Sequence, residues 1–422
     1  VTVSVLYWAP VTVLLACTAA MGWRSTLLTV AVLVLPHIGI AGAANSSCSV
    51  LRSGAPSTIQ VGAATRVALD DCTVVDSGVT FHILGPNATL SLGRFRLTGV
   101  STLAVVPAAD NIDGLQVHVT DSHIQCRGDA LVVGESTAPI ANATVSIRNS
   151  TILATGGRAA VMTPSLCTHC VLAALNGSVV RSTGTSGALK SVLALSFVNS
   201  ATEVDIVAVN ATVEALATGG IFGVAAMGIA AVADQIQIRG CRVWAIASFV
   251  HARTGAGASA VAALGVAVHT DRGAASLIAK GLHFVADAGS VVRAWGERDG
   301  ESIVALGAAL KGRAYTVSIT KSYFAARGGS AVTVSSDREA DSIAVLGVAA
   351  SYKDATVTDT VFVAEDARVE AEFRGPSAEA CAVLGSAVQG GGATITLKSV
   401  DFWARRSTIL ATCPGTDDGV AV

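Results

Sequence analysis

Two carboxylates and one asparagine have the spacing that comes closest to a catalytic set in this sequence. Asn111 and Asp113 lie in the run NIDG, and Asp129 follows the run VHVTDSHIQCRG. Hydrolysis of a glycosidic bond needs two carboxyl groups that face one bond, one of which donates a proton. Asp113 and Asp129 are therefore the candidate catalytic residues, and we expect them to share a face on adjacent coils if they act together.

The residues around these two carboxylates argue against catalysis. A proton donor needs a carboxyl pKa raised by burial in an apolar pocket or by close charges, and this stretch is rich in Gly, Ser and Thr. Arg127 is the nearest strong cation in the sequence, and it would lower the pKa of a neighbouring acid. Asp is also common in turns, where its side chain hydrogen-bonds the local backbone. We expect turn acids and no turnover of polyuronides.

Other reactive motifs are isolated. Cys167-Thr168-His169-Cys170 is a CxxC without a second pair, which favours a disulfide or unpaired thiols over a zinc or redox site. Arg127-Gly128-Asp129 is an RGD tripeptide, the integrin-ligand motif, and we expect it in a coil turn. The eight His residues are scattered, and the sequence has no P-loop, no GxSxG and no basic patch. We therefore expect no metal and no cofactor.

Sequence repeats indicate the architecture that positions these candidate residues. The run VTDTVF at Val357–Phe362 returns as ITKSYF at Ile319–Phe324 and LKSVDF at Leu397–Phe402, and in longer form at Ile278–Phe284 and Ile238–Trp244. Successive aromatics are 40, 40, 38 and 40 residues apart: Trp244, Phe284, Phe324, Phe362 and Phe402. A Leu-Gly pair recurs in step, at Leu264-Gly265, Leu306-Gly307, Leu346-Gly347 and Leu384-Gly385. Two markers with one period predict a repeat architecture.

The composition indicates that the repeats are β-coils. Hydrophobic residues make up 51% and charged residues 14% of the 422, and Val and Thr favour extended chain. A coil of short strands buries its apolar face only by stacking on its neighbours. We predict an all-β, right-handed parallel β-helix with coils of about 28–42 residues over residues 45–422, as a single domain. Stacked β-sandwiches and a β-propeller are the alternatives.

The stacking gives two detailed expectations. Ile238, Ile278, Ile319 and Val357 should lie above one another, one strand spacing apart, and the aromatics should form a ladder. In the first half the same pattern recurs 28 residues apart, at Val119–Ile124 and Ile147–Ile152.

The N-terminal 44 residues are predicted to be an upstream extension and a signal peptide. Met21 is a plausible start, Arg24 precedes the apolar run Leu27–Ile40, and Ala41-Gly42-Ala43 supplies the small residues of a cleavage site. Because residue 1 is Val, we expect a fragment or a gene model that opens upstream of the true start. An uncleaved anchor is the alternative, and membrane association would otherwise require a missing C-terminal region.

Asparagine and cysteine use agree with secretion. Six of the eight Asn residues lie in N-x-[ST] sequons, which predicts surface glycans: Asn45, Asn87, Asn142, Asn149, Asn176 and Asn210. None follows residue 210, so we expect the two halves to present different surfaces. Without Cys17, eight Cys remain, an even number that suits disulfides, with Cys48 and Cys72 placed to join the first coil. The net charge of −2 gives no reason to expect nucleic acid as a partner.

Two family resemblances follow from these motifs. The NIDG run and Asp129 resemble the polygalacturonase family of parallel β-helix glycoside hydrolases, which implies a pectin-lyase-like fold. However, Gly128 takes the place of the second carboxylate of the pair, and the family's later G-H-G and R-x-K motifs have no counterpart. The sequons, the signal and the recurring Leu-Gly coil resemble the large surface glycoproteins of kinetoplastid protozoa, notably the dispersed gene family of trypanosomes.

The resemblances and the residues lead to two functional hypotheses. The first is a secreted or cell-surface β-helical repeat glycoprotein with an adhesion, binding or surface-coat role, whose partner is an unidentified extracellular protein or carbohydrate. The alternative is a carbohydrate-active β-helix enzyme, active or degenerate.

Overall fold

The chain folds as a right-handed parallel β-helix built from three sheets. The computed structural model describes residues 44–421 except 46–47, 52, 135–137, 185–190, 199, 220, 232–234, 256–257, 271–274, 298–299, 313–314, 339, 352–354, 375–377, 390–394 and 413–419. The predicted extension and signal peptide, residues 1–44, lie outside the described residues except for Ala44. All strand pairs in the described part of the chain are parallel, which confirms the predicted fold and rules out sandwiches and a propeller.

Sheet A contains β1 (Ala44–Asn45), β3 (Arg66–Asp70), β6 (Thr89–Gly93), β9 (Ile112–Asp113), β10 (Gln116–Thr120), β13 (Ile140–Ala141), β14 (Thr144–Arg148), β17 (Leu166–Thr168), β18 (Val171–Leu175), β21 (Ser200–Thr202), β22 (Asp205–Val209), β25 (Gln235–Arg239), β26 (Arg242–Ile246), β29 (Ala275–Lys280), β30 (His283–Asp287), β33 (Tyr315–Thr320), β34 (Tyr323–Arg327), β37 (Ala355–Glu365) and β40 (Ile395–Arg405). Sheet B contains β2 (Ser57–Val61), β5 (Val79–Ile83), β8 (Leu103–Pro107), β12 (Leu131–Val133), β16 (Ala160–Met162), β20 (Ser191–Val198), β24 (Ile221–Ala231), β28 (Ala258–Thr270), β32 (Gly300–Gly312), β36 (Ala340–Ser351), β39 (Ala378–Gln389) and β42 (Val420–Ala421). Sheet C contains β4 (Thr73–Val75), β7 (Arg96–Gly99), β11 (His123–Cys126), β15 (Thr151–Thr155), β19 (Val179–Gly184), β23 (Thr212–Ala217), β27 (Phe249–Thr254), β31 (Val291–Gly296), β35 (Ala331–Ser336), β38 (Arg368–Phe373) and β41 (Thr408–Thr412). One 3-10 turn, Cys48–Val50, lies near the start.

Each coil runs from sheet A to sheet C to sheet B, and the coils lengthen along the chain. Ser57 pairs with Val79, a step of 22 residues, and Gln116 pairs with Thr144, a step of 28. Gly265 pairs with Gly307, a step of 42. The predicted lower limit of about 28 residues is therefore wrong for the first coils. Those coils are shorter because each contributes a single five-residue strand to sheet A. Later coils contribute either two strands or one strand of 11 residues to that sheet.

The repeated sequence run forms the corners of the coil. Its third residue is left-handed, as in Lys321 (φ 53°) and Asp121 (φ 50°), and the small residue after it turns inward. The Lys321 N–H donates to the Thr358 carbonyl of the next coil at 3.0 Å, so the corner continues the hydrogen-bond ladder. The run at 119–124 forms the corner between sheets A and C, whereas the run at 319–324 forms a corner within sheet A. These two runs therefore belong to different columns, and they look alike because both corners have the same geometry.

The inward aromatics stack as predicted, with one exception. Phe284, Phe324, Phe362 and Phe402 occupy successive positions, with ring centroids 5.2–5.4 Å apart. The expected place of Trp244 in this column is wrong, because Val243 pairs with Phe284 there. The corner explains the register, because the inward residue lies three positions after the residue with left-handed φ. In this coil the left-handed residue is Gly240, so Val243 points inward and Trp244 points outward.

The expected column of aliphatic residues needs a similar correction. Ala279, and not Ile278, lies between Ile238 and Ile319, and Ile278 is 42% exposed. The left-handed residue of that coil is Gly281, and the inward residue precedes it by two positions. The runs that begin at Ile238 and Ile278 were predicted to be one residue longer than the others, and this prediction is wrong. The six residues from one inward position to the other are Ile238–Val243 in one coil and Ala279–Phe284 in the next, the same length as in the other coils.

The Leu-Gly markers stack as predicted and bend the long strands of sheet B. The Ser302 hydroxyl donates to the Leu310 carbonyl at 2.8 Å, although eight residues of straight strand would separate them by about 26 Å. The bend lies between these residues, at Leu306-Gly307. The column of glycines is Gly228, Gly265, Gly307, Gly347 and Gly385. A second hydrophobic cluster of small residues, including Val304 and Ala309, packs apart from the main core.

Candidate binding face

The structure places the candidate catalytic residues in one coil and not on adjacent coils. Asp113 ends β9 in sheet A, beside the corner at Gly114, and its carboxylate accepts a hydrogen bond of 2.7 Å from the Asn142 amide of the next coil. Asp129 lies between β11 and β12, at the corner from sheet C to sheet B. Strands β10 and β11 separate the two side chains along the coil. The carboxylates therefore do not face one bond.

Asp129 is held by a residue that the sequence analysis did not identify. The Arg158 backbone N–H and Nε donate to the Asp129 carboxylate at 2.6 and 3.0 Å, and Arg158 Nη2 completes the ion pair. Arg158 is 29 residues away in sequence, so only the coil register brings it close. Because its carboxylate is occupied, the RGD tripeptide presents Arg127 to solvent but not a free Asp.

The sequon asparagines whose side chains are described lie at coil corners. Asn87, Asn142, Asn149, Asn176 and Asn210 are exposed and left-handed, with φ of 46–56°. Asn is one of the few residues that adopt this conformation readily. In four of these corners the next residue is small and buried, and a Thr then begins the following strand. The corner itself therefore favours the N-x-T pattern, so the abundance of sequons has a structural cause that does not depend on glycosylation.

The predicted disulfides form. Cys48 and Cys72, with Cα atoms 5.5 Å apart, join the first coil, and Cys167 and Cys170 join across the corner at His169. Not all eight remaining cysteines pair, since Cys126 and Cys241 are free and buried. Burial raises the pKa of each of these two thiols to about 11, so both are protonated at neutral pH.

No cluster of three or more His, Cys, Asp and Glu side chains suited to a metal ion occurs among the described residues. A shallow depression of about 400 Å³ near the second disulfide is lined by His169, Glu203, Asp205 and Arg242. Its ionisable side chains already contact one another, His169 Nδ1 with Glu203 at 2.9 Å and Arg242 with Asp205 at 2.5 Å. Each of these four side chains therefore already has a partner within the depression.

The outer face of sheet A carries the most distinctive surface of the described chain. One column of outward residues is apolar over seven successive strands: Ala173, Val207, Trp244, Val285, Ala325, Val363 and Trp403. We call it the aromatic stripe. The same column is polar in the first half, where Ser91, His118 and Ser146 occupy it. The two halves of the chain thus present different surfaces on one sheet.

Three rings contact one another near the centre of the stripe: Trp244 in the stripe, and His283 and Tyr323 in the adjacent outward column. The Trp244 indole N–H donates to His283 Nδ1 at 3.2 Å, and the His283 ring stacks on Tyr323 with centroids 4.7 Å apart. Burial lowers the pKa of His283 to about 4, helped by Arg327 and Arg242. The imidazole is therefore neutral at pH 7 and able to accept this hydrogen bond. Val285 and Ala325 point outward in the same column but are 2% and 0% exposed. At the centre of the stripe the accessible groups are therefore the half-buried rings and not these two side chains.

Ion pairs border the stripe on both sides. Arg242 pairs with Asp205 on one side, and on the other Arg327 Nε lies 2.8 Å from Asp287 and Arg405 lies 3.8 Å from Glu365. Each cation faces an anion on a neighbouring strand, so the border carries little net charge. Sequence reasoning missed this face because it followed the inward positions of the repeat. The signal was present in the residues just before the inward aromatics, such as His283 and Tyr323.

The comparisons with known proteins leave the family open. No family model, no curated protein and no solved structure matches the chain. Among the described residues, no helix has the length and apolar character needed to cross a membrane.

Proposed function

We propose that this chain is a secreted or cell-surface β-helical glycoprotein that binds an extracellular ligand through the outer face of sheet A, in adhesion or as part of a surface coat. The observation that carries the proposal is the set of half-buried and exposed aromatic rings on the aromatic stripe and beside it, Trp244, Tyr323 and Trp403. Aromatic side chains are enriched where proteins bind their partners. The sequons and the signal-like segment support the extracellular location. A kinetoplastid surface origin is part of the proposal and rests on composition and repeat style.

The rigid backbone suits such a role. In the stacked coils the backbone groups of one strand bond to the strands above and below, so sheet A presents side chains in fixed columns. Binding to a surface of this kind orders little of the protein, which favours affinity. The enzymatic alternative lacks this support, because Asp113 and Asp129 lie at different corners and each is engaged by a neighbouring coil.

Expression in a eukaryotic secretory system tests the location. We expect removal of the first 43 or 44 residues and N-glycans within residues 45–210 only. Peptide N-glycosidase should then increase gel mobility, and mutation of the sequon Asn residues to Gly should remove that change while keeping the left-handed corners. Unchanged mobility of the native chain after enzyme treatment, or retention of the chain inside the cell, contradicts the proposal.

Binding is tested with the secreted chain itself. The fluorescently labelled protein should bind intact cell surfaces or extracellular matrix in a saturable way, and Trp403→Ala should weaken that binding. Trp295→Ala is the matched control, because Trp295 lies on sheet C and is held by Asp337 and Arg253. Equal loss in both variants would show that the stripe is not the binding face.

A further inference from the structure

The direction of the aromatic stripe restricts the shape of its ligand. The stripe crosses the strands at right angles and therefore runs along the helix axis. Its seven positions span six strand spacings of about 4.8 Å, or about 29 Å in total. Ala173, Val285 and Ala325 are buried, so a ligand reaches the aromatic rings instead. These rings are Trp244 and Trp403 in the stripe and Tyr323 beside it, and they lie at most four strand spacings, or about 19 Å, apart. Only a linear ligand laid along the axis contacts all three rings.

The chemistry of the stripe disfavours an extended peptide. A peptide strand advances about 3.3 Å per residue, so its side chains would fall out of step with columns about 4.8 Å apart. Its backbone would also need hydrogen-bond partners. The backbone groups of sheet A already pair within the stack, and Val207, Val363 and Ala325 offer none.

An extended β-linked glycan fits the same geometry. One sugar unit of such a chain is close in length to one strand spacing, so the sugars stay in step with the coils. The apolar face of a pyranose packs flat against an aromatic ring, and its hydroxyls remain in solvent at the edges. Trp244 and Tyr323 are half-buried, and Trp403 is 63% exposed. These rings lie four coils apart at most, within the reach of a hexasaccharide.

The ion pairs that border the stripe favour an uncharged ligand. Arg242, Arg327 and Arg405 each face a carboxylate, so the stripe has no unpaired cation of its own for a uronate or a sulfate. The guanidinium and carboxylate groups still have lone pairs and N–H groups at the rim that can bond to hydroxyls. A neutral sugar uses these groups without leaving a charge unpaired.

We infer that the outer face of sheet A binds a neutral, extended β-linked oligosaccharide along the helix axis. Its sugar rings pack on Trp244 and Trp403 of the aromatic stripe and on Tyr323 in the neighbouring outward column. The inference rests on the proposed binding function and specifies its ligand. The fixed Trp244–His283–Tyr323 cluster means that little side-chain motion is lost on binding. The polar half of the same column, at Ser91, His118 and Ser146, is expected to take no part.

Titration of the secreted, enzymatically deglycosylated full chain tests the inference. The probes are cellohexaose and β-1,4-mannohexaose, with hexagalacturonate as the anionic comparison, followed by calorimetry and tryptophan fluorescence. We expect saturable binding of at least one neutral hexasaccharide, weaker binding of its disaccharide, and little dependence on salt. Trp244→Ala and Trp403→Ala should each weaken binding about tenfold or more, the size of an interface hot spot.

Two control variants separate the stripe from the rest of the fold. Ser146→Ala in the polar half of the column and Trp295→Ala on sheet C should bind as the native chain does. Circular dichroism of every variant checks that the β-helix is retained, and Tyr323→Phe, which keeps the ring, should retain most of the affinity.

The outcomes distinguish this inference from the proposed function. Absence of binding to both neutral hexasaccharides, preference for hexagalacturonate with strong salt dependence, or native affinity in the Trp variants overturns the glycan inference. If the chain still binds cell surfaces and Trp403→Ala weakens that binding, the binding function holds and the ligand is of another class. If the native chain binds neither the hexasaccharides nor cell surfaces, both the glycan inference and the proposed binding function are wrong.

Discussion

A glycine series tests the bend in the long strands of sheet B. Gly307 has φ +147°, a conformation that L-residues rarely adopt, and a Cβ placed there would overlap the Gly347 carbonyl of the next coil. The obstacle is backbone, so no rotamer change relieves it. Gly289 has φ +75° but open space around its Cβ position, and Gly128 has neither strain nor a close neighbour. Alanine at these three sites therefore separates backbone strain from steric overlap.

The structure sets the expected magnitudes. Gly128→Ala should change the unfolding free energy by less than about 0.5 kcal/mol, as for most surface substitutions. Gly289→Ala should cost about 1–2 kcal/mol for placing a Cβ in a left-handed conformation. Gly307→Ala adds about 1–3 kcal/mol of overpacking to that strain, which gives about 2–5 kcal/mol in total.

Urea unfolding followed by tryptophan fluorescence measures these differences. The three tryptophans after the predicted signal segment are Trp244, Trp295 and Trp403, so the signal reports on the coils around Gly307. Because stacked repeats need not unfold in one step, the midpoint of the tryptophan transition is compared among variants. If Gly307→Ala is no more destabilising than Gly289→Ala, the coils do not stack as closely as described and the reasoning fails.

Three further predictions concern the cysteines and one histidine. Replacing both Cys48 and Cys72 with Ser, which opens a loop of 24 residues, should destabilise the first coils by about 3 kcal/mol, measured as a lower urea midpoint of the Phe81 and Phe95 coils by amide hydrogen exchange; an unchanged midpoint there would contradict the role of this disulfide. Cys241 should resist thiol reagents at pH 8 until urea is added, because its buried thiol has a pKa of about 11; rapid labelling of the native chain would contradict its burial. Because the folded pKa of His283 is lowered to about 4, the unfolded state binds more protons below pH 6.5, and stability should fall as pH drops from 6.5 to 4. His283→Gln should reduce this pH dependence, and an unchanged pH profile in the variant would rule out His283 as its source.

The sequence predicted the fold because the corner geometry is strict. At these corners a residue with positive φ is followed by a buried inward residue, which is small at Ser322 and Thr360 and larger at Leu282, so the pattern survives in runs as different as VTDTVF and ITKSYF. Two registers were wrong for the same reason. In the coils with Gly240 and Gly281 the glycine marks the corner, and an alignment by aromatic residues alone shifted Trp244 and Ile278 by one position.

The candidate site was not predictable in the same way. The Asp129–Arg158 pair depends on which residues meet one coil apart, and this register follows from the coil length, which varies from 22 to 42 residues. The aromatic stripe could not be predicted from the sequence for a different reason. Its members, including Val285 and Ala325, are ordinary strand residues, and only the stacking of seven strands brings them into one column.

The parallel stacking of the coils determines how the molecule would respond to mechanical force. Bonds between coils run along the helix axis, so tension applied at the two ends of the stack opens one coil after another. A coil of 38 to 42 residues, as between Phe324 and Phe362 or Gly265 and Gly307, releases about 130 Å of extended chain. The disulfide between Cys48 and Cys72 keeps the first coil closed under the same load. A tethered chain of this design would thus lengthen in steps under shear while its remaining coils keep their outward columns intact.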